Sequence, residues 1–387
     1  MNYPKLIRIT TVPLSLKILL KGQLKFMSDF FDVVAVSSPG EDLEIVKKVE
    51  SVRVEAIEMT RQITPIKDLI SLFRLYLFLR KEKPQIVHTH TPKAGTIGIL
   101  AAKLAGVPHR LHTVAGLPLL ETKGKKRKLL NAVEKMTYAS ATKVYPNSQG
   151  LYEIILENGF TTADKLKVIG KGSSNGIDTS FFDPNQISDE EKIKRKQSLN
   201  LDENDFVFVF VGRLVGDKGM NELVSAFSEL SKLNLKKTPK LVLVGPLEEE
   251  LDPLLPETMK KIQSHPQIQS LGFQEDVRPY FAISDCLVFP SYREGFPNVV
   301  MQAGAMGLPA IVSNINGCNE IISDGKNGRI VPPKNRESLL EAMKEIIENP
   351  QKRNQWAEIS RNQILENYER TYIWNELLSE YKSLLGN

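Results

Sequence analysis

The chain is built from one alternation run twice: short apolar segments of strand length separated by amphipathic stretches. Parallel strands need a crossover between them and a helix supplies it, so the pattern argues for α/β architecture with mostly parallel sheets. In the first half the strand-like segments are 6–10, 33–37, 86–90, 110–114 and 143–146, with helix-like stretches at 65–81, 94–105 and 127–140. Gly106-Val-Pro108 closes one helix, as a C-terminal glycine followed by proline does. The second half repeats the scheme at 206–211, 240–244, 268–271, 286–289, 310–312 and 329–331. Leu223, Ala226, Phe227 and Leu230 fall at i, i+3, i+4 and i+7, the spacing of one buried helix face. Residues 170–184 read as a connection, and Ser188-Asp-Glu-Glu191 as a capping box opening the next helix. The expected division is an N-terminal domain over 1–183, a C-terminal domain over 184–366, and a final helix, 367–387, packing back on the first domain.

A chain of 387 residues suits two such domains. The net charge of +5 is too mild to suggest a nucleic-acid partner, and no zinc spacing is present. Two cysteines, Cys286 and Cys318, make no disulfide framework, which favours a reducing cytoplasm. The most apolar helix-like stretch, 69–79, is broken by Arg74, so the expectation is a cytoplasmic protein, at most peripheral on the inner face of the membrane.

Two segments carry chemistry. Strand-like 206–211 leads into Gly212-Arg213-Leu-Val-Gly-Asp-Lys218-Gly219, where Arg213 and Lys218 can converge on one anion, a planar fork beside a point charge. The glycine spacing is not that of a P-loop, and no strand leads into Gly-x-Gly-x-x-Gly. Strand-like 286–289 leads through Ser291-Tyr-Arg-Glu-Gly-Phe-Pro-Asn298 into a short helix. This places Glu294 near a strand's carboxyl end beside helix-start N–H groups: a carboxylate for sugar hydroxyls and amides for a phosphate.

These motifs resemble the large retaining glycosyltransferase family with the GT-B fold: Gly212-Arg213…Lys218-Gly219, then Glu294-Gly-Phe-Pro…Gln302-Ala…Gly307. Asn175-Gly-Ile-Asp178, Gly317…Glu320 and Asp324-Gly-Lys-Asn-Gly328 are similar to further signatures of that family. Val87-His-Thr-His-Thr-Pro-Lys-Ala-Gly95 and Thr113-Val-Ala-Gly-Leu117 resemble the branch that elongates undecaprenyl-diphosphate-linked sugars in bacterial surface-polysaccharide synthesis. The resemblance implies two Rossmann-like doubly wound domains facing a cleft, and transfer of a sugar from a nucleotide donor, expected to be UDP-linked, with retention of anomeric configuration. Arg213 and Lys218 would neutralise the leaving diphosphate, and Glu294 would hold sugar hydroxyls. His112 would meet the donor sugar near the reacting carbon. Gly212, Phe273, Phe296, Asn298, Val299 and Gln302 would complete the donor site. No cofactor beyond the nucleotide-sugar substrate is implied. No Asp-x-Asp occurs, so no metal is expected.

The chain departs from the family pattern at Gln302, where a second glutamate, separated from the first by seven residues, is usual; the amide keeps an acceptor but loses the charge. Thr10-Thr-Val-Pro-Leu-Ser15 replaces a glycine pair in the first loop. On the acceptor side Ser15, His88, His90 and Lys93 are candidates to orient a polyprenyl-diphosphate-linked sugar. Lys123, Lys125, Lys126, Arg127 and Lys128 open an amphipathic helix suited either to an anionic membrane surface or to solvent. Two alternatives fit part of the pattern: a non-catalytic nucleotide-sugar-binding partner of an assembly complex, and a sugar-nucleotide epimerase on the same fold.

Overall fold

A computed structural model describes residues 3–62, 64–117, 119, 122–248 and 252–386. The chain forms two compact units, the first comprising residues 1–176 with 370–387 and the second residues 177–369.

The first unit holds six parallel strands: β1 (Lys5–Ile9), β2 (Asp32–Ser37), β3 (Arg53–Ala56), β4 (Ile86–Thr89), β5 (His109–Val114) and β6 (Lys143–Pro146). They lie in the order β3-β2-β1-β4-β5-β6. The second unit repeats the order as β12-β11-β10-β7-β8-β9. Its strands are β7 (Asp205–Val211), β8 (Thr238–Val244), β9 (Ile268–Ser270), β10 (Cys286–Phe289), β11 (Ala310–Ser313) and β12 (Gly328–Val331). In each sheet the order reverses once, between β1 and β4 and between β7 and β10. Chains leaving the two central strands turn to opposite sides there and open a crevice at the carboxyl ends.

The strands that sequence makes plain are those buried on both faces. Phe206, Phe208 and Phe210 on β7 are at most 1% exposed, and each contributes roughly 1.5–3 kcal/mol by leaving water. Their neighbours Val207 and Val209 are also buried, hence the unbroken apolar run. β3 escaped the sequence reading: it is a four-residue edge strand, Arg-Val-Glu-Ala, with no buried residue. The helix Met220–Leu230 buries Leu223, Ala226, Phe227 and Leu230 completely. The capping box at Ser188 is formed, its Oγ accepting from Glu191 N at 3.2 Å while Ser188 N donates to Glu191 Oε2 at 3.0 Å.

The units divide earlier than residue 183 and later than residue 366. Ile177 N donates to Tyr368 O at 2.8 Å, and both side chains enter the second unit's core. The last helix, Arg370–Leu385, belongs to the first unit: Leu377, Leu378 and Tyr381 share a core with Leu6, Phe31 and Leu111.

Candidate active site

In the second unit the crevice at the point of reversal is walled by the segments leaving β7 and β10, and backbone contact sets their geometry. Gly219 adopts φ +71, and a Cβ there would lie 2.1 Å from the carbonyl oxygen of Pro290. Only glycine permits that approach. It seats the turn Gly216–Lys218 against the exit of β10, and Tyr292 N donates to Asp217 O at 2.8 Å. Lys218 Nζ consequently forms an ion pair with Glu294 Oε1. Both side chains are largely buried, 16% and 17% exposed.

Glu294 is fixed from three further directions. Ser291 Oγ donates to its Oε1 at 2.9 Å. Asn316 Nδ2 donates to its carbonyl oxygen and, at 3.3 Å, to that of Gly295. Gly317, at φ +77, packs so closely that a Cβ would come 2.5 Å from Gly295 O. Its N–H donates to Glu320 Oε1 at 3.2 Å. Ser291, Asn316 and Asp217 (the last paired with Arg293 at 3.0 Å) were not singled out from sequence. Asn316 adjoins the Gly317…Glu320 motif, the one signal that could have found it.

Arg213 does not share Lys218's partner. It is exposed and pairs with Glu248 at 2.7 Å, which raises its guanidinium above the ordinary value; Asp217 and Glu294 add to this from farther off. The expectation that Arg213 and Lys218 converge thus resolves into two adjacent ion pairs in one electrostatic field. Gly212 accounts for the placement: its N donates to Val244 O at 2.9 Å, and a Cβ on Gly245 would lie 1.8 Å from Gly212 O.

The helix Asn298–Ala305 begins directly beyond Glu294, with Pro297 as an N-cap that offers no side-chain bond. The first-turn N–H groups of Asn298 and Val299 have no acceptor within the helix, the arrangement that suits an anion. Gln302, half-buried, lies one turn on, along the same face as Asn298. Phe296 is buried, its ring 5.3 Å from that of Tyr368, so only its backbone is free to meet a ligand. Phe273, beyond β9, is 73% exposed.

In the first unit His112 lies on β5, two residues before its end, and is buried. Its Nδ1 is 2.8 Å from Thr89 Oγ1, and burial pushes its imidazole down to about 4, so it is neutral near pH 7. The ring rests on the helix Pro92–Leu104 at Gly95, where a Cβ would lie 2.3 Å from His112 Cε1. His88 differs from its sequence reading. Its ring nitrogens meet Tyr381 Oη and, at 2.8 Å, Thr113 Oγ1, leaving none for an acceptor substrate. His90 is buried and accepts at Nε2 from Arg8 Nε at 2.9 Å. Lys93 is paired with Asp68, and Ser15 is half-buried in the helix Pro13–Leu19. Of the basic run, Lys123, Lys125, Lys126 and Lys128 are exposed. Arg127 is turned inward, donating to Asn131 Oδ1 and Leu119 O, each at 2.8 Å.

Comparison with known proteins gives the class to which this doubly wound fold belongs. Residues 191–363 match the family described as Glycosyl transferases group 1, and residues 17–148 match Glycosyl transferase 4-like. The capsular polysaccharide biosynthesis glycosyltransferase CapM of Staphylococcus aureus is 33% identical over 388 residues, covering 100% of this chain and 98% of that one. The chain therefore belongs to the group 1 glycosyltransferases. A UDP-Gal:alpha-D-GlcNAc-diphosphoundecaprenol alpha-1,3-galactosyltransferase of Escherichia coli is also 33% identical, over 75% of this chain and 73% of its own length. Anabaena HepE, solved in complex with UDP, superposes with a TM-score of 0.81 at 19% identity, covering 98% of this chain and 100% of that one. The likeness to HepE concerns the fold, two doubly wound α/β units of the GT-B class.

Proposed function

We propose that this glycosyltransferase moves a sugar from a UDP-sugar, with retention and without a metal, to a polyprenyl-diphosphate-linked acceptor in capsule or related surface-polysaccharide assembly. The observation that carries the reading is the Lys218–Glu294 pair at the second sheet's reversal, beside the uncapped helix start at Asn298. Breaking a sugar–diphosphate bond leaves an oxocarbenium-like sugar and an extra negative charge on phosphate. Fixed cations and helix-start amides stabilise that charge where it grows. Lys218 and Arg213 take the leaving diphosphate, and Asn298 and Val299 present amides to it. Glu294, released from Lys218 as donor binds, accepts hydrogen bonds from sugar hydroxyls. Gln302 contacts the ribose and Phe273 lies by the base. His112 is the first unit's candidate to meet the sugar. The acceptor class is supported by the diphosphoundecaprenol named for the Escherichia coli relative, and the nucleotide by the UDP-Gal in that name and the UDP bound to HepE.

Such an acceptor lives in a membrane, and among the described residues no helix is long and apolar enough to cross one. The helix Pro65–Glu82 exposes Ile66, Leu69, Ile70, Phe73 and Leu77, each 48–80% accessible, along one stripe. It packs on Pro92–Leu104, which packs in turn on Gly124–Ser140, the helix opened by the exposed lysines. An apolar stripe near basic side chains fits an anionic bilayer surface such as that of the cytoplasmic leaflet.

The deciding experiment offers labelled UDP-sugars to the protein with undecaprenyl-diphosphate-linked N-acetylglucosamine in vesicles. Labelled lipid with an unchanged anomeric centre is expected. Nucleotide affinity without transfer to any lipid extract would favour the binding-partner alternative that Gln302 motivates.

A further inference from the structure

Arg8, on β1, is completely buried, and among the described residues no carboxylate pairs with it. Its Nε donates to His90 and one terminal nitrogen to Gln23, both neutral acceptors, while Nη1 has no partner. Arginine does not lose its proton in a protein, so this charge stays. Tyr381 does not balance it: its hydroxyl, pushed up to about 12 by burial, remains neutral and is engaged with His88. A buried, uncompensated cation is costly, and an anion at its side removes the cost.

Both partners of Arg8 lead to a cavity: His90 lines it, and Gln23 donates to the carbonyl oxygen of Ser174, another lining residue, at 3.2 Å. This cavity of about 20 Å³, lined among others by His90, Asn147, Ser174 and Leu377, lies at the carboxyl ends of β4, β5 and β6. That volume takes a species of about the size of a water molecule. Because His90 Nε2 accepts from Arg8, the neutral ring carries its proton on Nδ1, and that N–H is buried with no partner. Ser174 Oγ and the Asn147 side-chain amide are likewise buried and unpaired at Oγ and Oδ1. An amide is assigned by its network, so Asn147 can turn its NH2 toward the same point. The unmet groups lining the cavity are hydrogen-bond donors, or can become donors, and what they lack is an acceptor, for which the nearby buried cation favours negative charge.

We propose that this cavity is a chloride-class site in the first unit: one monovalent anion accepts hydrogen bonds from His90 and Ser174, with the Arg8 guanidinium behind His90 supplying the opposite charge. The site stands apart from the sugar-transfer reading and rests on none of its residue roles.

Two measurements test it on the full chain. Crystals soaked in bromide are expected to give an anomalous peak between His90 and Ser174. Melting is expected to rise by about 3 °C when gluconate is exchanged for about 0.3 M chloride at constant ionic strength, since a ligand of the folded state alone raises apparent stability. Arg8→Met should remove that increment, and Ser174→Ala should reduce it if Arg8→Met does not fold. Ordered water without anomalous signal, or equal melting of the wild type in the two salts, overturns the proposal. So does an undiminished increment in the variants.

Discussion

Lys218 and Glu294 reach each other from opposite sides of the second sheet's reversal and neutralise one another at the carboxyl ends of β7 and β10. In the proposed function each meets a part of one donor, Lys218 its diphosphate and Glu294 its hydroxyls. Lys218→Ala and Glu294→Ala are each expected to lower turnover by about 100-fold or more, the scale of one lost transition-state contact. Steady-state transfer rates per folded molecule check this. Variants that melt earlier yet turn over normally would reduce the pair to a structural role.

Gln302 is neutral on the face it shares with Asn298. Gln302→Glu should tighten UDP binding by about 1 kcal/mol, roughly fivefold, through a charge-assisted bond to the ribose. Titration calorimetry decides the matter, and equal or weaker affinity would remove this position from the ribose contact.

Gly95 offers a way to disturb His112 without deleting it. Alanine suits a helix better than glycine, yet its Cβ would meet the imidazole at 2.3 Å and force the ring to move. Gly95→Ala is expected to cut kcat about tenfold or more while UDP affinity, which the proposed function assigns to residues of the other unit, is unchanged. Full activity with a displaced ring in the variant's crystal structure would free His112 from any role in transfer.

Three buried histidines make the first unit sensitive to acid. Burial lowers His88 and His90 well below the ordinary histidine value, with Arg8 adding to it, and puts His112 at about 4. The unfolded chain takes up these protons near pH 6.5, before the folded one does. Stability is therefore fully present above about pH 6.5 and is lost as pH falls toward 4, with His112 alone accounting for a loss on the order of 3 kcal/mol. Denaturant midpoints between about pH 7.5 and 4.5 should fall, less steeply in His112→Gln; a flat profile would contradict the burial of neutral rings.

The exposed lysines at the start of Gly124–Ser140 and the stripe on Pro65–Glu82 predict peripheral membrane binding. Replacing Lys125, Lys126 and Lys128 by Gln should weaken sedimentation with anionic vesicles, each cation contributing about 1 kcal/mol. Phe73→Ser with Leu69→Ser should weaken it at high salt as well. Unchanged partitioning in both sets would assign these faces to solvent.

Sequence reveals what is repeated locally and hides what is made by distant contact. β7 and β10 are legible because burial on both faces leaves unbroken apolar runs, whereas β3, exposed at an edge, alternates Arg53 and Glu55 with Val54 and Ala56 over only four residues and has no apolar run. Lys218 and Glu294 stand out beside their glycines, but their mutual pairing and the grip of Asn316 depend on loops far apart in the chain. His88 looks like a ligand-facing residue on sequence because it sits at a strand end. Its partner Tyr381, in the last helix, is what turns it into an internal contact.

The first unit is written discontinuously, its core joining Leu6 and Phe31 to Leu377 and Tyr381. A ribosome can therefore release the whole second unit to fold while the first still waits for its closing segment. Until residues 370–385 emerge, the nascent first unit would present an open apolar face, and a stalled or nicked chain would fail there first.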